Sequence, residues 1–352
     1  MKTKLKNADW RLLLRVLLLA VTPWLFGILR CAMDGKKLTD IYLPTSPWND
    51  ELFYYKLTEA VSKYGFPHGY FGFNEKHGEL LSFAAWSPVL LLFFVIYALL
   101  FGWNLLSPIF CNLLIMSLAM LGFGLIMKVG RAQTAAVMAA YGLFMPVTRF
   151  TLSVMPEATF YGLLLIYAAL VFRGAGSKVY MGGIQKIAAS RSLIIWLFVI
   201  TALLTLMRPY FLLLFWAPVS LLKKRSGWGK ALGIGAIPVV LTMIAYYLIN
   251  HFLSAPYLVD LFYTDGIEAL KTQGLIGGIG YNLHKFKASA YEILLWCYGA
   301  IAGKNGHMEG AHYLTFLVCA FIWFVLFVVS LIKAIAFRKK GEAAGKDKLL
   351  PG

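Results

Sequence analysis

The sequence predicts an all-α fold, a polytopic transmembrane helical bundle of about eight or nine apolar segments with a large first extracytoplasmic loop. Three observations carry that expectation. Hydrophobic residues make up 60% of the 352 residues and charged residues only 14%, where a soluble domain carries about a quarter charged residues. Mostly apolar windows recur from one end to the other, each long enough or nearly long enough to cross about 30 Å of hydrocarbon. Lys and Arg collect in the short polar stretches between those windows, as the positive-inside rule expects of cytoplasmic loops.

The windows fall at 11–29, 87–103, 105–127, 132–148, 157–172, 192–207, 209–222, 231–253 and 313–335. The first, RLLLRVLLLAVTPWLFGILR, follows a basic start. It is too long for a signal-peptide core and no A-x-A-like cleavage site follows, so a retained signal anchor is expected. With the N-terminus inside, 33–86 and 254–312 become extracytoplasmic loops. Residues 1–335 then form the integral membrane domain and 336–352 a short basic cytoplasmic tail, with both termini cytoplasmic. Segments 192–207 and 209–222 form a hairpin turning at Met207, Arg208 and Pro209, and PVTRFTLSVMPE (146–157) forms a second outer turn. Gly102, Trp103 and Asn104 divide 87–127 into two segments where the charge pattern asks for an odd number of crossings. DELFYYKLTEAVSKYG, ended by Gly65 and Pro67, is expected as a short amphipathic helix on the outer membrane surface. The glycines of TQGLIGGIGY suggest a flexible loop, and 288–302 an interfacial stretch.

The net charge of +17 does not point to nucleic acid. Basic residues cluster at 1–15, 128–131, 173–191, 223–230 and 337–348, which fits topology and contact with anionic lipid. Acidic residues concentrate in the two outer loops, and Glu157 stands alone. The cysteines Cys31, Cys111, Cys297 and Cys319 lie in or beside apolar stretches without CxxC spacing, so neither a disulfide framework nor a zinc site is expected. His68, Glu75 and His77 form no strong ligand pattern, and no metal or other cofactor is expected. No strand–GxGxxG or GK[ST] pattern supports nucleotide-sugar use.

Chemistry concentrates at a few positions. Asp50 and Glu51 open the predicted helix of the first outer loop, beside Tyr54 and Tyr55. Such a pair is ordinarily solvated surface, yet carboxylates shielded by aromatics can be tuned as a general base. Arg208, in LLTLMRPYFLLLF with Tyr210 beside it, is costly in lipid. It either pairs with Glu157 or snorkels, or its planar guanidinium receives a phosphate. Glu157 follows Pro156 at a helix start, where a carboxylate is favoured by the helix dipole alone. In HGYFGFNEKHGELLSF, His68, Asn74 and Glu75 stand among aromatics and glycines, a composition suited to a sugar. Lys285 and Lys287 either assist a phosphate or anchor a helix to headgroups.

NDELFYYKLTEAVSKYG after the first span, then MPEATFYGLLLIYAAL, then LLTLMRPYFLLLF, resemble in order and spacing the GT-C superfamily of polytopic glycosyltransferases, which includes protein O-mannosyltransferases and aminoarabinose transferases. The likeness covers the elements up to about residue 225. Many family members carry more spans and a soluble C-terminal domain, which this chain does not show. The resemblance implies transfer of a hexosyl or pentosyl unit from a polyprenyl-phosphate-linked sugar donor to a glycan, lipid or protein acceptor of the cell envelope. It places the reaction on the extracytoplasmic face with inversion. It assigns Asp50 or Glu51 as the base, Arg208 to the lipid phosphate and Glu157 to orienting the sugar or supporting the base. A different class, a transporter or flippase for a lipid-linked saccharide, would also place an Arg and aromatics around a sugar, but it ordinarily shows pseudo-symmetric halves. None is visible here. A non-catalytic accessory subunit would tolerate a separation of Asp50, Glu157 and Arg208 by more than a cavity's width.

Overall fold

In the computed structural model, residues 9–41, 50–65, 87–175, 177–180, 183–186, 190–253 and 265–302 are described, with scattered positions between 314 and 328. Helix α1 (Trp10–Met33) is followed by α2 (Asp50–Tyr64), α3 (Leu92–Phe101), α4 (Ser107–Met127), α5 (Arg131–Leu143), α6 (Met145–Thr151) and α7 (Glu157–Ala175). A two-stranded antiparallel hairpin, β1 (Ser177–Tyr180) and β2 (Gly183–Lys186), separates these from α8 (Arg191–Met207), α9 (Trp216–Leu253), α10 (Asp265–Thr272) and α11 (Gly274–Ile301). Short 3-10 turns cover Pro88–Leu91 and Pro209–Phe215. The protein is a multi-pass helical membrane protein. Among the described residues, four stretches are long and apolar enough to cross a membrane: Trp10–Met33, Ser107–Met127, Glu157–Gly174 and Pro209–Leu253.

Local chemistry sets the boundaries. The backbone N–H groups of Arg11 and Leu12 donate to Asp9 Oδ1 at 3.1 and 3.2 Å, capping α1. One side of α1 presents Leu13, Leu14, Leu17, Leu18, Val21 and Leu25 outward, an apolar surface suited to lipid. Gly102 closes α3 at φ 81°, a conformation that costs glycine little. The apolar stretch Pro88–Phe101 is therefore a short helix rather than a span of full length. Ser190 caps α8 by accepting from the N–H of Leu193 at 3.2 Å. That helix stops at Arg208, which is extended (φ −146°, ψ 120°) before Pro209, as a residue preceding proline tends to be.

Three further expected windows differ from the structure. Window 132–148 is broken at Phe144 between α5 and α6, with Pro146 in the first turn of α6, where a missing N–H costs nothing. Windows 209–222 and 231–253 are continuous with one another, as a 3-10 turn and a helix that breaks at Gly227 (φ 76°). Gly235 then lies against Val219 across the break, so α9 folds sharply there. Most of window 313–335 and all of the tail 336–352 lie outside the described residues.

The chain divides into two compact units. In the first (Met1–Leu143 and Val147–Tyr263), α4 packs on both α1 and α7, α7 packs on α8, and α2 packs on α3. One core cluster joins Tyr54, Leu57, Phe94, Phe160, Leu197 and Leu204, and a second joins Leu19, Met116, Met120, Tyr141 and Ala158. Helix α7 thus contributes to both. The second unit (Phe144–Pro146 and Thr264–Gly352) contains α10 packed on α11. Here TQGLIGGIGY is not a loop: α11 runs through its glycines and on through 288–301. Glycine weakens an isolated helix by about 1 kcal/mol per residue. In α11 it serves packing, since a Cβ on Gly278 would lie 2.5 Å from Leu270 Cα on α10.

Candidate functional site

Three segments of the first unit bring polar groups together. The first is α2. Asp50 and Glu51 occupy its first turn, where carboxylates favour the helix N-terminus. Glu59 binds Lys56 at 2.9 Å and Lys63 at 3.0 Å. One side of α2 packs into the protein, burying Glu51, Phe53, Tyr54, Tyr55, Leu57, Thr58 and Ala60, while Lys63 and Tyr64 at its end are exposed. The adjacent carboxylates differ, because successive helical residues point about 100° apart. Glu51 is 0% exposed. Asp50 is half-buried and lies in the field of Arg208. Burial pushes the Asp50 carboxyl up from the ordinary range, and Arg208 opposes part of that rise.

Tyr54, one helical turn beyond Asp50, is 1% exposed. Its phenol is pushed well above the usual range, chiefly by burial and next by the charge of Glu157, while the Arg208 side chain reaches the hydroxyl and opposes the rise. Glu157 is the first residue of α7. It lies within electrostatic range of both Arg208 and Asp50, and its Oε2 is buried with no hydrogen-bond partner among the described residues. Arg208, half-buried, sits at the junction of α8 and the Pro209–Phe215 turn. Its N–H donates to Leu204 O at 2.9 Å and its carbonyl accepts from Phe211 N at 3.2 Å.

Three tyrosines border this group. Tyr210, 62% exposed, lies in the range of Arg208 and Glu157. Tyr161 lies in the range of Glu157 and Tyr210, and Tyr246 of α9 in that of Arg208. Tyr161 and Tyr246 are absent from the sequence-derived set. Tyr161 is four residues after Glu157 and so shares its helix face, which is a readable signal. Tyr246 is one of several tyrosines in an apolar run, and no signal distinguishes it.

Each segment is tied at a backbone carbonyl by a side chain distant in sequence. Trp103 Nε1 donates to Tyr55 O at 3.1 Å. Asn112 Nδ2, on α4 and fully buried, donates to Ser153 O at 2.8 Å and Met155 O at 3.1 Å, with Phe150 O at 3.4 Å. The Tyr167 hydroxyl donates to Leu214 O at 2.5 Å.

Other expected site residues lie elsewhere. Tyr55 stacks on Trp103, ring centroids 5.5 Å apart, with Lys56 6.0 Å from its ring. Lys285 and Lys287 are exposed on α11 in the second unit, where Lys285 pairs with Asp265 at 3.3 Å. His68, Asn74 and Glu75 lie outside the described residues. Among the described residues no group of three or more His, Cys, Asp or Glu side chains is placed to hold a metal ion.

The gathered groups, two carboxylates and a guanidinium bordered by phenols, can take a proton from a hydroxyl and hold an anion within one neighbourhood. No family model and no curated protein sequence matches the chain. A solved structure similar to it is that of ArnT from Cupriavidus metallidurans bound to undecaprenyl phosphate, at 15% identity and a TM-score of 0.44. The match covers 73% of this chain and 44% of that one, so the chain spans less than half of that protein's length. A likeness of this degree assigns no activity.

Proposed function

We propose that this chain is a GT-C-type membrane glycosyltransferase that moves a sugar from a polyprenyl-phosphate donor to an acceptor of the cell envelope on the extracytoplasmic face. The observation that carries this reading is the gathering of Asp50, Glu157 and Arg208 around Tyr54, from segments lying more than a hundred and fifty positions apart at their extremes.

The chemistry is a single displacement. Asp50 takes the proton of an acceptor hydroxyl as the oxygen attacks the anomeric carbon. The bond from that carbon to the phosphate oxygen breaks, and the electron pair leaves on the lipid phosphate, where Arg208 stabilises the growing charge. Attack opposite the leaving group inverts the anomeric centre. A phosphate leaves readily as an anion, so one base and one cation suffice without a separate acid. An Asp50 carboxyl raised by its surroundings is a better match for a hydroxyl proton than an ordinary surface carboxylate. Glu157, with one buried oxygen unpartnered among the described residues, accepts a hydrogen bond from a sugar hydroxyl. Outward apolar faces such as that of α1 leave the polyprenyl tail in its own solvent.

The test is transfer of radiolabelled sugar from polyprenyl-phosphate sugars to endogenous envelope acceptors in membranes with matched expression. Asp50→Asn is expected to lower transfer by about 10²–10⁴-fold with donor binding retained, and Arg208→Gln to weaken donor binding. Equal transfer by wild type and Asp50→Asn would remove Asp50 from the chemistry. Saccharide crossing the bilayer without any bond formed would replace transfer with transport.

A further inference from the structure

The three ties at backbone carbonyls converge on the residues of the proposed site. Trp103 binds the carbonyl next to Tyr54, Asn112 binds the turn that ends two residues before Glu157, and Tyr167 binds the turn that follows Arg208. These bonds bridge separations of 38 to 48 positions. A bond of similar reach, Arg173 Nη1 to Ile126 O at 3.4 Å, joins the opposite ends of α7 and α4 and touches none of them.

Satisfying orphan carbonyls explains only part of this. Ser153 and Met155 are outside any helix, and their carbonyls need a donor when buried. Tyr55 lies within α2, so its carbonyl already has an intrahelical donor and takes Trp103 on its second lone pair. The Leu214 carbonyl also accepts from the N–H of Trp216 before Tyr167 is counted. In both cases the added bond does not relieve an unsatisfied acceptor; it fixes where a segment sits relative to a neighbouring element. Asn112 does the same from the interior of a membrane-spanning helix, where a carboxamide is costly and is kept only for its partners.

We infer that Trp103, Asn112 and Tyr167 are positioning residues that hold the backbones bearing Asp50 and Tyr54, Glu157, and Arg208 in mutual register for the reaction. None of them touches the reacting groups in this scheme. Each acts through the carbonyl it binds, and the inference rests on the glycosyltransferase reading of the same site.

The test uses the full chain in lipid nanodiscs, with Tyr167→Phe, Asn112→Ala and the amide-retaining Asn112→Gln. Tyr167→Phe removes one hydroxyl and keeps the ring, so it stays informative where Asn112→Ala fails to fold. Backbone hydrogen exchange by mass spectrometry is expected to quicken about fivefold or more in peptides covering 210–216 for Tyr167→Phe, and in those covering 150–157 for Asn112→Ala, each leaving the other stretch unchanged. Transfer from a polyprenyl-phosphate sugar is expected to fall on the order of ten- to a hundredfold in kcat with donor KM within about threefold. Asn112→Gln should recover part of that loss. Exchange that rises evenly through the bundle, or local loosening with kcat unchanged, overturns the inference. Wild-type protein that neither binds nor uses the donor overturns the glycosyltransferase reading instead, and the exchange data still decide whether the three side chains hold their segments.

Discussion

The α7 helix carries Glu157 against the rest of the bundle, and Gly162 is one of the places where it approaches α4 closely. A Cβ at that position would lie 3.2 Å from both Ala119 Cβ and Ile115 Cγ2, and 3.7 Å from Ile115 O. Those first two distances are tighter than ordinary packing, so an added methyl asks α4 to give by a few tenths of an ångström. Replacing a helical glycine with alanine gains about 1 kcal/mol of helix propensity. Overfilling a packed interface costs about 1–3 kcal/mol. Gly162→Ala is therefore expected to be neutral or destabilising by up to about 2 kcal/mol. Gly162→Leu has nowhere to place its side chain without moving α7 off α4, and is expected to cost more than the upper end of that range. Gly233, on α9, is the control, because a Cβ there meets nothing within 4 Å. Gly233→Ala should stabilise by about 0.5–1 kcal/mol. The assay is thermal unfolding of purified protein in one detergent, where 1 kcal/mol moves the midpoint by roughly 2–4 °C for chains of this order. An unchanged midpoint for Gly162→Leu, or equal shifts for Gly162→Ala and Gly233→Ala, would refute the claim that direct α4–α7 contact at Gly162 governs stability.

Two further outcomes follow from the same structure. The base role proposed for Asp50 requires it ionised, and its carboxyl is raised by burial and lowered by Arg208. Activity in kcat/KM should therefore fall, as pH drops, at a pH above the ordinary carboxylate range. In Arg208→Gln that limb should move to still higher pH, and a limb that moves down or stays would exclude Asp50 as the titrating group. In the second unit, Gly278→Ala would force its methyl into the Leu270 backbone, so hydrogen exchange in α10 should quicken selectively. An unaltered α10 would show that the two helices do not pack through Gly278.

The site-bearing segments are legible in the sequence because each interrupts a pattern. Arg208 breaks an apolar run before a proline, Glu157 follows a proline at a helix start, and Asp50 with Glu51 precedes the tyrosines of a helical repeat. Charge in a hydrocarbon-like setting is expensive enough to stand out locally. The residues that hold these segments do not stand out. Asn112, Trp103 and Tyr167 are defined by partners 38 to 48 positions away, and nothing in their immediate neighbours announces that reach. Periodicity also does not say what an amphipathic helix packs on, which is why the burial of the side of α2 bearing Glu51, Tyr54 and Thr58 is not legible in it. The glycines of α11 mislead for a related reason: low helix propensity is visible in sequence, whereas the close approach of Leu270 to Gly278 is not.

Anchoring through main-chain oxygen has an evolutionary corollary. A carbonyl is present whatever side chain its residue carries, so mutations at Tyr55, Ser153, Met155 or Leu214 leave an acceptor in place. Only the donors carry a strict chemical requirement. Substitutions can then alter the side chains around Asp50, Glu157 and Arg208 while the main-chain acceptors that Trp103, Asn112 and Tyr167 bind stay in place.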